Sequence, residues 1–122
     1  MKIQSFKDLI VWQEAMNLVE MTYRETKKFP REEMLGLTNQ ARRAAVSIPA
    51  NIAEGYGRQH RKEYLHFLSI ASGSLTELET HMLIAQRVKY LDAQTMQTLQ
   101  AQINSTGKLL TALRKALSQD GV

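Results

Sequence analysis

The chain has 122 residues, the length of one ordinary domain, and it lacks cysteine, which excludes a disulfide framework and a thiolate metal site. Its formal net charge of +4 comes entirely from the segment between Gln40 and Lys62, where five basic residues stand against one acid. The sequence shows neither a signal-peptide pattern nor an apolar run of roughly 18 residues, so we expect a cytoplasmic protein without a membrane segment.

The first predicted helix covers about residues 6–28, because its apolar residues recur at helical spacing. Ser5 suits its N-cap, and Phe29-Pro30 ends it, since a residue before proline avoids the α region. We assign its core stripe to Leu9, Trp12, Met16, Val19 and Tyr23.

The second predicted helix, about residues 31–56, carries a proline in its interior. Glu32 and Glu33 in its first turn suit the helix dipole. Pro49 lacks a backbone N–H and its ring crowds the preceding turn, so we expect a kink there. The alternative is a break, with Pro49 as the first residue of a short new helix.

The third and fourth predicted helices cover about residues 61–89 and 92–119, and each carries an unbroken heptad stripe of apolar residues. Because the connections are short, consecutive helices should run antiparallel. The sequence therefore predicts an all-α, up-down antiparallel four-helix bundle that forms a single domain over residues 1–122.

Second faces on the first three helices predict self-assembly, since a lone bundle needs one apolar stripe per helix and a charged outside. The third helix carries small residues at heptad spacing, among them Gly73, which costs about 1 kcal/mol relative to alanine in mid-helix. Isolated exposed apolar residues are also normal on a monomer, which is the alternative. The predicted interface of the homo-oligomer comprises Leu35, Arg42, Arg43, Val46, Asn51, Glu54, Ser69, Gly73, Thr76 and Thr80.

Basic residues from two parts of the chain should meet at one end of such a bundle. The connection between helices two and three lies at the same end as the finish of helix four. Cations there can neutralise phosphates, and a tyrosine can stack on a base. The residues predicted to contact nucleic acid are Tyr56, Arg58, Arg61, Lys62, Arg114 and Lys115.

Two alternatives to nucleic-acid binding stay open for these cations. A charged bundle end can simply be solvated. Arg42 and Arg43 can instead form salt bridges between subunits, to Glu54 or Glu33 of a neighbour, which arginine geometry favours.

Catalytic and metal sites find little support in the sequence. Glu63 and His66 form the one Glu-x-x-His pair and lie off the core stripe, whereas a di-metal carboxylate centre needs two such pairs. No nucleophile elbow and no phosphate loop occurs. We therefore expect no enzyme activity, no metal and no cofactor.

The segments "GLTNQARRAAVSIPANIAEGYGR" and "EYLHFLSIASGSLTELETHMLIAQRVKYL" carry a family resemblance. With "FKDLIVWQEAMNLV" and "KKFPREEMLGLT", they make the chain similar, over about residues 6–118, to the four-helix-bundle family named for proteins encoded in intervening sequences of bacterial 23S ribosomal RNA genes. The resemblance implies an up-down bundle that assembles into homopentameric rings. The biochemical role of that family is not established.

The resemblance also implies classes of partner. The genes' location suggests an association with ribosomal RNA, and a related bundle, the accessory variability determinant of diversity-generating retroelements, is a basic pentamer that binds nucleic acid and a reverse transcriptase. Binding of structured RNA or a ribonucleoprotein is the leading hypothesis. The alternative is a protein–protein adaptor, such as an accessory subunit of a reverse transcriptase, without direct RNA readout.

Overall fold

The computed structural model describes residues 2–120, with the backbone alone for residues 119 and 120, so residues 1, 121 and 122 of the predicted domain lie outside the described part. Within it the chain forms four α-helices and no strand, which confirms the predicted all-α fold class. No helix of this part combines the length and the apolar character needed to cross a bilayer. The helices are α1 (Ile10–Thr26), α2 (Leu37–Tyr56), α3 (Arg61–Arg87) and α4 (Ala93–Asp120).

The start of α1 differs from the prediction, because Ser5 caps a different element. The Ser5 hydroxyl accepts a 3.1 Å hydrogen bond from the Lys7 N–H and begins a short 3-10 turn, Phe6–Asp8. Leu9 then adopts an extended conformation and separates this turn from α1. Ser5 is therefore not the N-cap of the long helix.

The start of α2 also lies later than predicted, since a 3-10 turn, Arg31–Glu33, and Gly36 precede it. The Glu33 carboxylate accepts the backbone N–H of Leu37 at 3.0 Å and so caps the helix from outside. A Cβ on Gly36 would lie 2.8 Å from that carboxylate oxygen, so a larger residue at this position would have to displace the capping carboxylate. Glu33 acts as the cap of α2 rather than as a residue of its first turn.

Pro49 lies inside α2, which continues to Tyr56 as one helix. The alternative of a new short helix beginning at Pro49 is therefore wrong. The ring of Pro49 is buried with Ile48 and Ile52. The kink expected at this position stays a prediction.

Each helix packs against two others in a closed circuit, α1 on α2, α2 on α3, α3 on α4 and α4 on α1, and within the described part no Cα atoms of the diagonal pairs come within 8 Å of each other. Small side chains let α2 and α3 approach most closely: the Ser74 hydroxyl donates to the Ser47 hydroxyl at 2.8 Å. The end of α2 and the start of α3 form one end of the bundle, which we call the α2–α3 end. The largest fully buried apolar side chains are Leu18, Ile48, Ile52, Leu68, Leu78, Met82, Leu99 and Leu110.

The predicted core stripe of α1 is only partly right, because Leu9, Trp12 and Val19 pack half-buried at the edge of the core. Val11, Ala15 and Leu18 are buried, whereas Met16 and Tyr23 are exposed. Two buried threonines, Thr22 and Thr26, complete the inner face, and their hydroxyls donate to carbonyl oxygens of their own helix. Because internal hydrogen bonds satisfy them, these threonines pack like small apolar side chains.

Candidate functional site

Arg61 and Lys62 open α3 and are both exposed at the α2–α3 end. Neither makes an ion pair with any residue that the structure describes. His60 precedes them in an extended conformation and provides no side-chain cap. Cations at a helix N-terminus oppose the helix dipole, at a cost of about 0.3–1 kcal/mol each at low ionic strength, so helix stability does not account for their placement.

Arg58 lies beside this pair but in a different environment. One terminal nitrogen is 3.0 Å from the Glu54 carboxylate, and the other is 3.6 Å from the Glu63 carboxylate. Its guanidinium carbon lies 4.9 Å from the ring centroid of Phe67. Unlike its neighbours, Arg58 is already neutralised within its own chain.

Four of the five predicted basic residues form two groups on opposite flanks of α3, and Arg61 lines neither groove. On the α2 side, Arg58 and Lys62 line a groove of about 470 Å³ together with Glu63, His66 and Phe67. A second groove, of about 460 Å³, lies on the α4 side. Its lining residues are Leu65, Thr111, Arg114, Lys115 and Ser118.

Tyr56 is half-buried at the end of α2, where its ring meets that of Tyr64 edge to face, with centroids 6.3 Å apart. Burial, with a smaller contribution from Tyr56, raises the pKa of Tyr64. Part of the Tyr56 ring is therefore used in packing within the chain.

Exposed apolar side chains lie along α1, α2 and the segment that joins them, a surface that we call the α1–α2 face. Leu35 is 93% exposed, and Tyr23, Met34 and Val46 are also exposed. The last three border a groove of about 510 Å³ that Arg42 and Arg43 also line. Four exposed apolar residues so close together form a patch rather than isolated surface residues.

Two contacts within the chain orient Arg42 on this face. Its guanidinium carbon lies 4.7 Å from the ring centroid of Tyr23, and its Nε donates a 2.8 Å hydrogen bond to the Thr26 hydroxyl. These contacts fix the plane of the guanidinium and leave its two terminal nitrogens without an ion-pair partner among residues 2–118. A planar donor pair held in this way suits a carboxylate.

Arg43 and Asn51 lie on the side of α2 that faces α3. Arg43 lines a polar groove of about 360 Å³ with Ser47, Ser74 and Glu77. The Asn51 amide donates to the carbonyl and to the hydroxyl of Ser47, at 2.8 and 2.9 Å. Asn51 therefore belongs to the hydrogen-bond network that joins α2 to α3.

The outer face of α3 carries the small residues predicted for the oligomer interface, and all of them are exposed: Ser69, Gly73, Thr76 and Thr80. Thr76 and Thr80 donate to carbonyl oxygens one turn earlier in the helix. A Cβ built on Gly73 meets nothing within 4 Å. No contact within the chain requires glycine at this position.

The two glutamates considered as partners for Arg42 and Arg43 are already engaged. Glu54 pairs with Arg58, and Glu33 accepts hydrogen bonds from the Leu37 N–H and, at 2.8 Å, from the Tyr90 hydroxyl. These two bonds lower the pKa of Glu33. A salt bridge between subunits through Glu33 would have to replace both of them.

The sequence pattern does not predict the surroundings of Arg42 and Arg58. It assigns Tyr23 to the core rather than to Arg42, and it gives no sign that Phe67 and Glu63 lie beside Arg58. The i, i+4 spacing of Glu54 and Arg58 was the available signal. The contacts of Arg42 with Tyr23, and of Arg58 with Phe67 and Glu63, depend on which face each helix turns toward the core. The described residues contain no group of three or more His, Asp or Glu side chains arranged to hold a metal ion.

Comparison with known proteins gives the following matches. The model of a family described as "23S rRNA-intervening sequence protein" matches residues 7–112. A crystal structure of a protein with unknown function from the S23 ribosomal protein family of Bacteroides thetaiotaomicron VPI-5482 superposes with a TM-score of 0.81 at 21% identity, over 87% of this chain and 99% of that one. At that identity the likeness shows the fold alone. None of the curated proteins shows significant similarity to the chain.

Proposed function

The chain belongs to the 23S rRNA-intervening sequence protein family, and from this premise we propose a non-enzymatic, homo-oligomeric bundle that binds structured RNA or a ribonucleoprotein. RNA phosphates are bound at the α2–α3 end, and the assembly forms through the α1–α2 face and the outer face of α3. The five subunits implied by the family resemblance are part of the proposal.

The observation that carries the RNA proposal is the exposure of Arg61 and Lys62 at an uncapped helix start. Free backbone N–H groups and the positive end of the helix dipole favour an anion at such a place. Two unpaired cations add to the same field. A polyanion whose phosphates reach this end would offset the electrostatic cost of having cations there.

Assembly would multiply this contact, because each subunit brings its own α2–α3 end. A rigid RNA that touches two or more subunits gains affinity through effective concentration, without any new contact chemistry. Arg114 and Lys115 on the other flank of α3 widen the surface. Binding of this kind follows phosphates rather than base edges, so it selects RNA shape more than sequence.

The experiment measures RNA affinity against salt concentration for the wild type and for Arg61→Gln/Lys62→Gln. Each lost phosphate contact lowers the log–log slope by about 0.7–0.9, so the double variant should lose about 1.5 in slope together with affinity. The matched control is Arg24→Gln/Lys27→Gln, which removes the same charge from exposed residues at the opposite end of the bundle. Equal loss in both variants, or a wild-type slope near zero, would reject the site.

The adaptor hypothesis is favoured by the α1–α2 face, since an exposed apolar patch with arginines is typical of protein contacts. The solution mass, with absorbance at 260 and 280 nm, separates the cases. An RNA-binding oligomer has a multiple of the subunit mass and carries nucleic acid that nuclease removes. An adaptor retains its protein partner after nuclease treatment and shows no salt-dependent RNA affinity.

A further inference from the structure

We propose that Arg58 is a stacking surface for an unpaired nucleobase and not one of the phosphate contacts. The inference rests on the proposed RNA binding and deepens it, because it names the structural class of RNA. The ligand is a nucleotide in a loop, bulge or single strand, whose base is free to leave its neighbours.

Two carboxylates already flank the guanidinium of Arg58. Glu54 lies 3.0 Å from one terminal nitrogen, and Glu63 lies 3.6 Å from the other. A phosphate that approached these nitrogens would meet two carboxylates around one guanidinium, a local charge that repels it. A neutral base meets no such penalty.

An aromatic ring lies beside the guanidinium as well. The guanidinium carbon is 4.9 Å from the ring centroid of Phe67, and the two carboxylates flank the terminal nitrogens. The side chain is still 41% exposed. Since Phe67 lies on one side and the carboxylates flank the terminal nitrogens, we assign the base to the guanidinium face turned away from Phe67, and RNA-binding proteins use such faces for stacking bases.

The groove around Arg58 supplies the rest of a nucleotide site. Lys62, which has no ion-pair partner in the described chain, lines the same groove and is placed for the phosphate of the stacked nucleotide. His66 packs edge to face on Phe67, with centroids 5.5 Å apart, and helps to hold the ring beneath Arg58. A base on Arg58 and a phosphate at Lys62 require a strand that is locally open, because bases inside a duplex have no free face.

The test compares Arg58→Lys with Lys62→Gln on an RNA hairpin that carries 2-aminopurine in its loop and on a blunt RNA duplex of equal length. Lysine keeps the charge and loses the planar face. Arg58→Lys should weaken hairpin binding roughly tenfold at every salt concentration, with an unchanged salt slope and a smaller fluorescence change. Lys62→Gln should reduce the slope, and Arg58→Lys should leave duplex binding unchanged.

The outcomes separate this inference from the function on which it rests. Wild-type binding with no effect of Arg58→Lys, or with a change in slope, overturns the stacking role and leaves RNA binding intact. A wild-type protein that binds neither RNA overturns the proposed function as well. The control is thermal unfolding: if Arg58→Lys unfolds at the same temperature as the wild type, a loss of RNA affinity comes from the altered side chain and not from a loss of folding.

Discussion

Gly55 in α2 lies directly against Phe67 in α3, so that a Cβ on the glycine would come within 2.9 Å of the Phe67 Cβ. Tyr64 is almost as close, at 3.0 Å from its ring and 3.2 Å from its carbonyl oxygen. Gly55→Ala gains about 1 kcal/mol of helix propensity but overpacks a contact that includes backbone, at a cost of about 1–3 kcal/mol. We expect a net loss of roughly 1 kcal/mol in the free energy of unfolding, measured with urea. A stabilised variant would contradict this close packing.

Gly73→Ala makes the same change where the single chain leaves open space. At dilutions where subunits separate, we expect a gain of about 1 kcal/mol from helix propensity. At higher concentrations the added methyl group should weaken assembly, since the proposed interface brings another backbone onto this face. Unfolding and sedimentation are measured across a dilution series. If the particle mass of the variant equals that of the wild type at every concentration, Gly73 lies outside any interface between subunits.

Leu35→Lys tests the α1–α2 face. At 93% exposure the side chain adds little to folding, so helix content and subunit stability should be unchanged. A charge in an apolar interface is costly to bury, so the particle mass should fall toward that of one subunit. Light scattering measures the mass. Ala101→Lys, on the exposed side of α4, is the control and should assemble normally.

Thr38→Val removes a hydroxyl that has no hydrogen-bond partner within the described residues, on a side chain that is 1% exposed. An unsatisfied buried hydroxyl costs about 1–3 kcal/mol, so we expect the variant to gain about 1 kcal/mol in unfolding free energy. Thr106→Val is the contrast, because the Thr106 hydroxyl donates to the Gln102 carbonyl at 2.9 Å. That variant should lose about 0.5–1 kcal/mol.

Glu33 should make stability depend on pH in the acid range. The Glu33 carboxylate accepts hydrogen bonds from the Leu37 N–H and from the Tyr90 hydroxyl. Both lower the pKa of Glu33 in the folded chain, the Leu37 bond more strongly. The stabilisation is complete above the unfolded pKa of about 4.3 and is lost as pH falls through the lower folded value. Glu33→Gln should therefore be less stable than wild type at neutral pH, and the difference should shrink in acid. Glu32→Gln, an exposed neighbour, should follow the wild-type curve in urea titrations.

The apolar periodicity of α3 and α4 was sufficient to predict which face of each helix is buried, because mostly polar residues border the apolar stripe on both sides. In α1 it was not. Apolar residues surround most of that helix, and its true inner face includes Ala15, Thr22 and Thr26. Spacing cannot rank two apolar stripes when one of them ends in threonines whose hydroxyls bond to their own helix. For this reason the predicted stripe included Tyr23, which in the structure is exposed and lies under Arg42.

The candidate site was also predicted only in part from the sequence. An up-down bundle brings the basic residues to one end, and topology alone predicts that. The division of these residues between two flanks of α3, and the neutralisation of Arg58 by Glu54 and Glu63, depend on side-chain geometry between helices. The cap of α2 by Glu33 could not be predicted for a related reason, since the Glu33 side chain reaches the Leu37 N–H from a separate 3-10 turn that precedes the helix.

Leu110 is the last fully buried side chain of α4, and from residue 111 to residue 118 only half-buried leucines, Leu113 and Leu117, hold the helix to the bundle. Segments with so little burial open locally at a small fraction of the global free energy, so we expect their amide protons to exchange with solvent far sooner than those of α2 and α3. Arg114 and Lys115 lie in this segment, which few buried side chains hold to the bundle. The cations on the α4 side of α3 can therefore adjust to the contour of a ligand.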